Sequence, residues 1–129
     1  MIRAIIVDDD ALARQRVKEL LSDKELLSEG VQLEIVGECG NGEEAISKIS
    51  SEKPDIVFLD VDLADMTGFD VLNKLPENLK LEVIFITSYD KYAIEAFKAK
   101  SSDYLVKPIM PTRFQRAVET AVMRIQEFG

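Results

Sequence analysis

Hydrophobic positions fall into two alternating patterns along the chain. Residues 2–7, 33–37, 55–59, 82–87 and 103–106 are short runs of mainly β-branched and aliphatic side chains with few polar interruptions. Such runs have no solvent face, which suits strands of a parallel sheet covered on both sides. Between them, apolar residues recur at helical spacing: Ala13, Val17, Leu20 and Leu21; Ala45, Ile46 and Ile49; Val71, Leu72 and Leu75; Ile94 and Phe97. The last set, Phe114, Ala117, Val118, Ala121, Val122 and Ile125, forms one unbroken stripe. Strand and helix alternate throughout. This predicts a single α/β domain over residues 1–129, with parallel strands joined by right-handed crossovers.

Local signals agree with these elements. Asn41 with Glu44, and Thr67 with Asp70, have the spacing of a capping box. Asp90 is placed to cap the fourth helix. Pro111 belongs in the first turn of the fifth. Ser28-Glu29-Gly30 and Ser50-Ser51-Glu52-Lys53-Pro54 read as turns rather than domain boundaries. No internal repeat or low-complexity tract interrupts the pattern.

Composition narrows the function. The chain has 129 residues, 24 acids against 16 bases, and a net charge of −8. A chain of this length buries roughly two thirds of its unfolded surface, so a core needs no staples. No apolar run approaches the ~20 residues of a membrane helix, and the start is not a signal peptide. An acidic balance weighs against direct nucleic-acid binding. Histidine is absent. That excludes Ser-His-Asp and Cys-His catalysis, His-liganded zinc and phosphohistidine on this chain. Cys39 is the sole cysteine; it reads as a small packed residue, and a cytoplasmic location is expected.

In open parallel sheets, ligands bind at the carboxyl ends of the strands. The first strand ends in Asp8-Asp9-Asp10, and the third in Asp60, followed by Asp62. The fourth ends in Thr87-Ser88, and the fifth in Lys107-Pro108. Singly, each has an ordinary structural reading: helix caps, a strand-end acid, a strand threonine, a solvated lysine, a turn proline. Their coincidence at one end of one sheet points to chemistry. Three close carboxylates repel and need a proton or a cation, and an all-oxygen site favours Mg²⁺. A carboxylate flanked by Mg²⁺, an ammonium and a hydroxyl suits phosphoryl transfer onto Asp60. Gly37, Gly40 and Gly42 lack dinucleotide spacing, and no phosphate-loop motif is present. A flavodoxin-like FMN site would need such a loop where residues 8–10 would repel phosphate.

At these residues the chain resembles a response-regulator receiver domain, the CheY-like family. Ile5-Ile6-Val7-Asp8-Asp9-Asp10 is similar to the opening strand and acid pair. Ile56-Val57-Phe58-Leu59-Asp60 is similar to the acceptor strand, with Gly68 at the downstream glycine. Ile84-Phe85-Ile86-Thr87 resembles the switch strand, and Asp103-Tyr104-Leu105-Val106-Lys107-Pro108 the fifth strand and its lysine. The resemblance implies a doubly wound five-stranded sheet in the order 2-1-3-4-5. It implies that Asp60 accepts a phosphoryl group from a histidine kinase or phosphotransfer protein. Asp9, Asp60 and the Asp62 backbone carbonyl would bind Mg²⁺ directly, and Asp8 through water. Thr87 and Lys107 would hold the phosphoryl oxygens, and Tyr104 would swing inward when Thr87 engages them. Residues 89–97 further resemble receivers of LytTR-type regulators. Output is then expected through homodimerisation on the fourth helix, fifth strand and fifth helix, or through DNA bound by an output domain absent from these residues.

The resemblance has departures. Leu63-Ala64 stand where many receivers carry Met-Pro, which predicts a looser loop before the third helix. Ser88 replaces the usual alanine, and Asp62 and Tyr89 occupy positions that tune phosphoryl lifetime in the family. Two alternatives remain beside the switch. One is a phosphate-independent interaction module, against which the complete acid–threonine–lysine set weighs. The other is a phosphatase, because Asp60-Val61-Asp62 resembles the haloacid dehalogenase nucleophile motif. In that family the second acid pair follows the lysine, whereas Asp8 and Asp9 precede everything here.

Overall fold

The structure is a computed structural model that describes residues 1–23, 31–98 and 101–128. The turn expected at Ser28-Glu29-Gly30 and the side chain of Phe97 lie outside what is described. The aliphatic runs form β1 (Ile2–Val7), β2 (Leu33–Cys39), β3 (Ile56–Leu59), β4 (Glu82–Thr87) and β5 (Asp103–Val106). All pair in parallel, in the order β2-β1-β3-β4-β5. The connecting helices are α1 (Ala11–Ser22), α2 (Gly42–Glu52), α3 (Gly68–Asn73), α4 (Ala93–Lys98) and α5 (Pro111–Phe128). This is the CheY-like flavodoxin fold expected from the motifs.

The period of two along each strand divides the core. Ala4, Ile6, Ile56, Phe58, Ile84, Ile86 and Leu105 face α1 and α5. Ile5, Val7, Val57, Leu59, Val83 and Phe85 face α2, α3 and α4. The three inner strands are therefore almost wholly buried, while the edge strands β2 and β5 are only partly so. The α5 stripe docks as its spacing requires, with Phe114 stacked on Phe58 at 5.6 Å between ring centroids. Each fully buried aliphatic or aromatic side chain contributes about 1.5–3 kcal/mol by leaving water.

Local chemistry mostly behaved as read. Thr67 and Asp70 form a complete capping box, and Pro111 opens α5. Asn41 caps α2 by accepting from the Glu44 amide, but Glu44 returns its bond to Gly40 rather than Asn41. Four expectations shift. Ser50 to Glu52 are helical, because α2 continues until Lys53 takes a left-handed conformation (φ 49°) ahead of Pro54. β2 runs on to Cys39, with the pairing register to β1 shifting by one residue around Val36. Asp90 does not cap α4; it begins a single 3-10 turn, Asp90–Tyr92, that leads into it. That turn rotates the following helix, so Ala96 faces the core and Ile94 is 71% exposed.

Candidate functional site

Backbone bonds just past the strand ends assemble the site. The Asp60 amide donates to the Val7 carbonyl at 2.9 Å, and the Asp8 amide to the Cys39 carbonyl at 3.0 Å. The Lys107 amide donates to the Thr87 carbonyl at 2.8 Å. Strand register thus sets Asp8 beside Asp60, and Lys107 beside Thr87. The residues line one cleft of about 250 Å³ at the carboxyl edge: Asp8, Asp9, Asp10, Asp60, Asp62, Thr87, Ser88, Tyr89 and Lys107. The sequence expectations are brought together there, Tyr104 excepted.

Electrostatics in the cleft are unbalanced. Carboxylate oxygens of Asp8, Asp9 and Asp60 lie within 4.8 Å of one another. Lys107 Nζ pairs with Asp8 Oδ2 at 2.8 Å and with Asp60 Oδ2 at 3.3 Å. One ammonium against three carboxylates leaves negative charge uncompensated. Burial, and then the charge of Asp8, raise the Asp60 pKa above its ordinary 3.8; Lys107 offsets only part of this. Burial alone would lower the Lys107 pKa, but its hydrogen bond to Asp8 and the charge of Asp60 hold it above the ordinary value. Both Asp8 oxygens are engaged, Oδ1 by the Asp10 amide at 2.9 Å and Oδ2 by Lys107. Asp10 itself caps α1 through the Leu12 amide, so of the triplet only Asp8 and Asp9 join Asp60 in the close carboxylate cluster.

The opposite wall carries an unmet donor. Thr87 is 0% exposed, and its Oγ1 has no hydrogen-bond partner among the described residues. A buried hydroxyl left unsatisfied costs about 1–3 kcal/mol. Ser88 and Tyr89 follow it at the exposed lip. Tyr104 lies outside the cleft, half-buried, its ring 6.4 Å from that of Phe85. Its hydroxyl donates to the Tyr89 carbonyl, tying β5 to the loop that leaves Thr87. The Lys107–Pro108 peptide is cis.

The loop after Asp60 is tied down, contrary to the looseness expected from Leu63-Ala64. Leu63 donates to the Met66 carbonyl at 3.1 Å, and Gly68 to the Val61 carbonyl at 2.7 Å. The Asp65 carboxylate accepts from the Gly42 and Glu43 amides at 2.7 and 3.0 Å, capping α2 from another part of the chain. Those bonds hold the Asp65 carboxyl below the ordinary carboxylate value. Gly68 is required by close approach: a Cβ there would sit 2.5 Å from the Asp60 carbonyl oxygen. Sequence reasoning missed Asp65, because its partners lie 22 and 23 residues away. It also missed Arg14, whose guanidinium donates to the Asp8 carbonyl at 2.6 Å, and Tyr92, whose hydroxyl donates to Asp62 Oδ1 at 3.4 Å. Cys39 is packed as expected; burial, then the charge of Glu44, pushes its thiol up to about 11.

The acid cluster fits a hard divalent cation. Its donors are all oxygen, they converge within 4.8 Å, and their negative charge exceeds what Lys107 neutralises. Comparisons with known proteins agree with this geometry. Residues 4–119 match the family described as response regulator receiver domain. The chain is 37% identical over 119 residues to an uncharacterized response regulatory protein of Vibrio cholerae, covering 92% of this chain and 48% of that protein. It is 36% identical over 118 residues to the transcriptional regulatory protein BtsR of Salmonella typhi, covering 92% of this chain and 47% of BtsR. The chain therefore spans about half the length of the curated relatives it matches. Among solved structures, the response regulatory domain of MrkE from Klebsiella pneumoniae superposes with a TM-score of 0.85 at 26% identity, covering 98% of this chain and 99% of that one. The REC domain of AraT from Geobacillus stearothermophilus gives 0.83 at 30% identity, covering 99% and 98%.

Proposed function

Because the chain belongs to the response regulator receiver domain family, we propose that residues 1–129 form one cytoplasmic receiver whose Asp60 accepts a phosphoryl group from a histidine kinase or phosphotransfer protein. The observation that carries this reading is the pairing of a charge-strained acid with an unmet donor. Asp60 is buried beside Asp8 with its pKa raised, and in the same cleft Thr87 Oγ1 is buried without a partner among the described residues. In the transfer, an Asp60 carboxylate oxygen attacks phosphorus. The new P–O bond forms as the P–N bond of phosphohistidine breaks, and the electron pair leaves on the imidazole nitrogen. Lys107 is already within 3.3 Å of the Asp60 carboxylate, poised for a phosphoryl oxygen.

Asp9, Asp60 and the Asp62 carbonyl would hold Mg²⁺ directly. Asp8, with both oxygens engaged, would act through water. When bound there, Mg²⁺ supplies neutralisation of the acid cluster and of the phosphoryl oxygens. Once Asp60 is phosphorylated, added charge and acceptor oxygens draw in Thr87 Oγ1. Tyr104, held to the Tyr89 carbonyl, follows the loop. The face of α4, β5 and α5 changes its affinity for a second copy or an output domain. A 1:99 to 99:1 shift needs the phosphoryl group to favour one state by about 5.5 kcal/mol. The chain acts as a switch and performs only its own phosphorylation and dephosphorylation. The likeness to BtsR, a transcriptional regulatory protein, supports a transcriptional output; the resemblance of residues 89–97 alone supports the LytTR type, with DNA held by an output domain outside this receiver.

The test is intact mass after incubation with acetyl phosphate and Mg²⁺. Addition of one phosphoryl group is expected, abolished by Asp60→Asn and by chelation of Mg²⁺. Addition that survives Asp60→Asn would refute the acceptor assignment, and turnover of many phosphate esters per chain would favour a phosphatase.

A further inference from the structure

The reading above leaves Tyr92 without a role. It closes the 3-10 turn ahead of α4, and its ring is wedged among neighbours. The Phe69 ring of α3 lies edge-on at 6.1 Å, and the Tyr89 ring stands nearly perpendicular at 6.2 Å and 87°. The Lys91 ammonium sits 5.0 Å from the Tyr92 centroid and 5.1 Å from that of Tyr89. Edge-on rings and a shared cation hold an aromatic side chain in one orientation. Packing therefore fixes the hydroxyl, and the hydroxyl donates to Asp62 Oδ1.

Asp62 is next to the chemistry. It lines the same cleft as Asp60, its amide donates to Asp60 Oδ1 at 3.3 Å, and its backbone bridges to Thr67. The backbone is thus held from two directions, and the carboxylate is the part free to turn. An unrestrained carboxylate on a residue lining the same cleft as a phosphorylated Asp60 can take a proton from an attacking water. In that hydrolysis the water oxygen bonds to phosphorus, and the bond from phosphorus to the Asp60 oxygen breaks with its electron pair returning to the carboxylate. The water proton passes to Asp62, and inorganic phosphate leaves. A carboxylate engaged by Tyr92 and turned toward the 3-10 turn is withheld from that step.

We propose that Tyr92 is a positioning residue that restrains the Asp62 carboxylate and so lengthens the life of the phosphoryl group on Asp60. The proposal rests on Asp60 being the acceptor. It also gives the α4 region a direct line to the site that bypasses Thr87: movement of the 3-10 turn releases Asp62.

The experiment measures the half-life of the phosphoryl group by intact mass, after acetyl phosphate is removed in excess Mg²⁺. Four chains are compared: the unmodified protein, Tyr92→Phe, Asp62→Ala and the double variant. Phenylalanine keeps the ring packing and removes only the hydroxyl. Tyr92→Phe is expected to shorten the half-life by about threefold or more, a small part of what a positioned general base supplies. In the Asp62→Ala background the same substitution is expected to have no effect, because the two residues act as one unit. An unchanged or longer half-life in Tyr92→Phe overturns the proposal. So does an equal shortening with and without Asp62, which would mark Tyr92 as merely structural. If no chain takes up phosphoryl, the acceptor reading itself falls and this inference with it.

Discussion

Asp60 is held in the fold at a cost. Burial and the charge of Asp8 raise its pKa above 3.8, so the folded chain binds the Asp60 proton more tightly than the unfolded chain does. Linkage fixes the sign: the contribution of this group to stability is complete below the unfolded pKa and declines as pH rises from there through the folded value. In metal-free buffer, Asp60→Asn is therefore expected to raise the urea midpoint at neutral pH and to flatten the decline between acid and neutral pH. The asparagine oxygen can still accept from the Asp62 amide, so that contact need not be lost. A lower midpoint at neutral pH, read by circular dichroism, would contradict this account. The same strain explains why the residue is suited to chemistry. A charged group that its surroundings leave under-compensated is readily stabilised by a cation, by Lys107 moving closer or by modification.

Elements here are secured by contacts that cross between them. Asp65 lies in the loop between β3 and α3, yet it satisfies two amides at the start of α2, while Asn41 satisfies a third. The first amides of a helix have no partner within it, and a side-chain acceptor is worth about 1 kcal/mol. Asp65→Ala is expected to lower the urea unfolding midpoint and to weaken Mg²⁺ binding measured by titration, because the loop it anchors carries Asp62. Loss of stability with unchanged Mg²⁺ affinity would limit Asp65 to capping. The 3-10 turn before α4 shows the converse. Asp90 has the residue type of a cap, but the chain takes a tighter turn there, so α4 begins at Ala93 and Ile94 is left exposed. That exposed residue lies on the region proposed to change with phosphorylation.

Across the whole molecule, one sheet separates two cores, and the cleft opens at the carboxyl ends of β1, β3, β4 and β5. α1 and α5 cover one face, and α2, α3 and α4 the other. The site belongs to the edge of both, so a change in either core can reach it. Phe58 is 1% exposed and stacks on Phe114. Phe58→Ala is expected to cost about 3–5 kcal/mol, a large share of the roughly 5–15 kcal/mol of a typical domain. Chemical denaturation should show a stability loss of that size, seen as a lower midpoint with little change in slope. A cost below about 1 kcal/mol would mean that the core closes over the gap.

Much of this was legible in the chain itself. Periodicity is a local property, and burial enforces it: the strands, β2's extension to Cys39 apart, the α5 stripe and the Thr67 capping box stand where spacing placed them. The acids, the threonine and the lysine fell at the carboxyl ends of strands for the same reason, and order along the chain was enough to bring them to one edge. Strand order was not in the periodicity; it came from the motif resemblance and was met by the sheet. What tertiary structure alone decided are contacts between residues distant in sequence: Asp65 on α2, Arg14 on the Asp8 carbonyl, Tyr92 on Asp62 and Tyr104 on the Tyr89 carbonyl. None leaves a local signature, because each depends on how two loops or edges meet. The same holds for the electrostatic state of the cleft. Composition supplied the charges, but only the register that sets Asp60 beside Val7 and Lys107 beside Thr87 decided how closely they approach and how little water shields them.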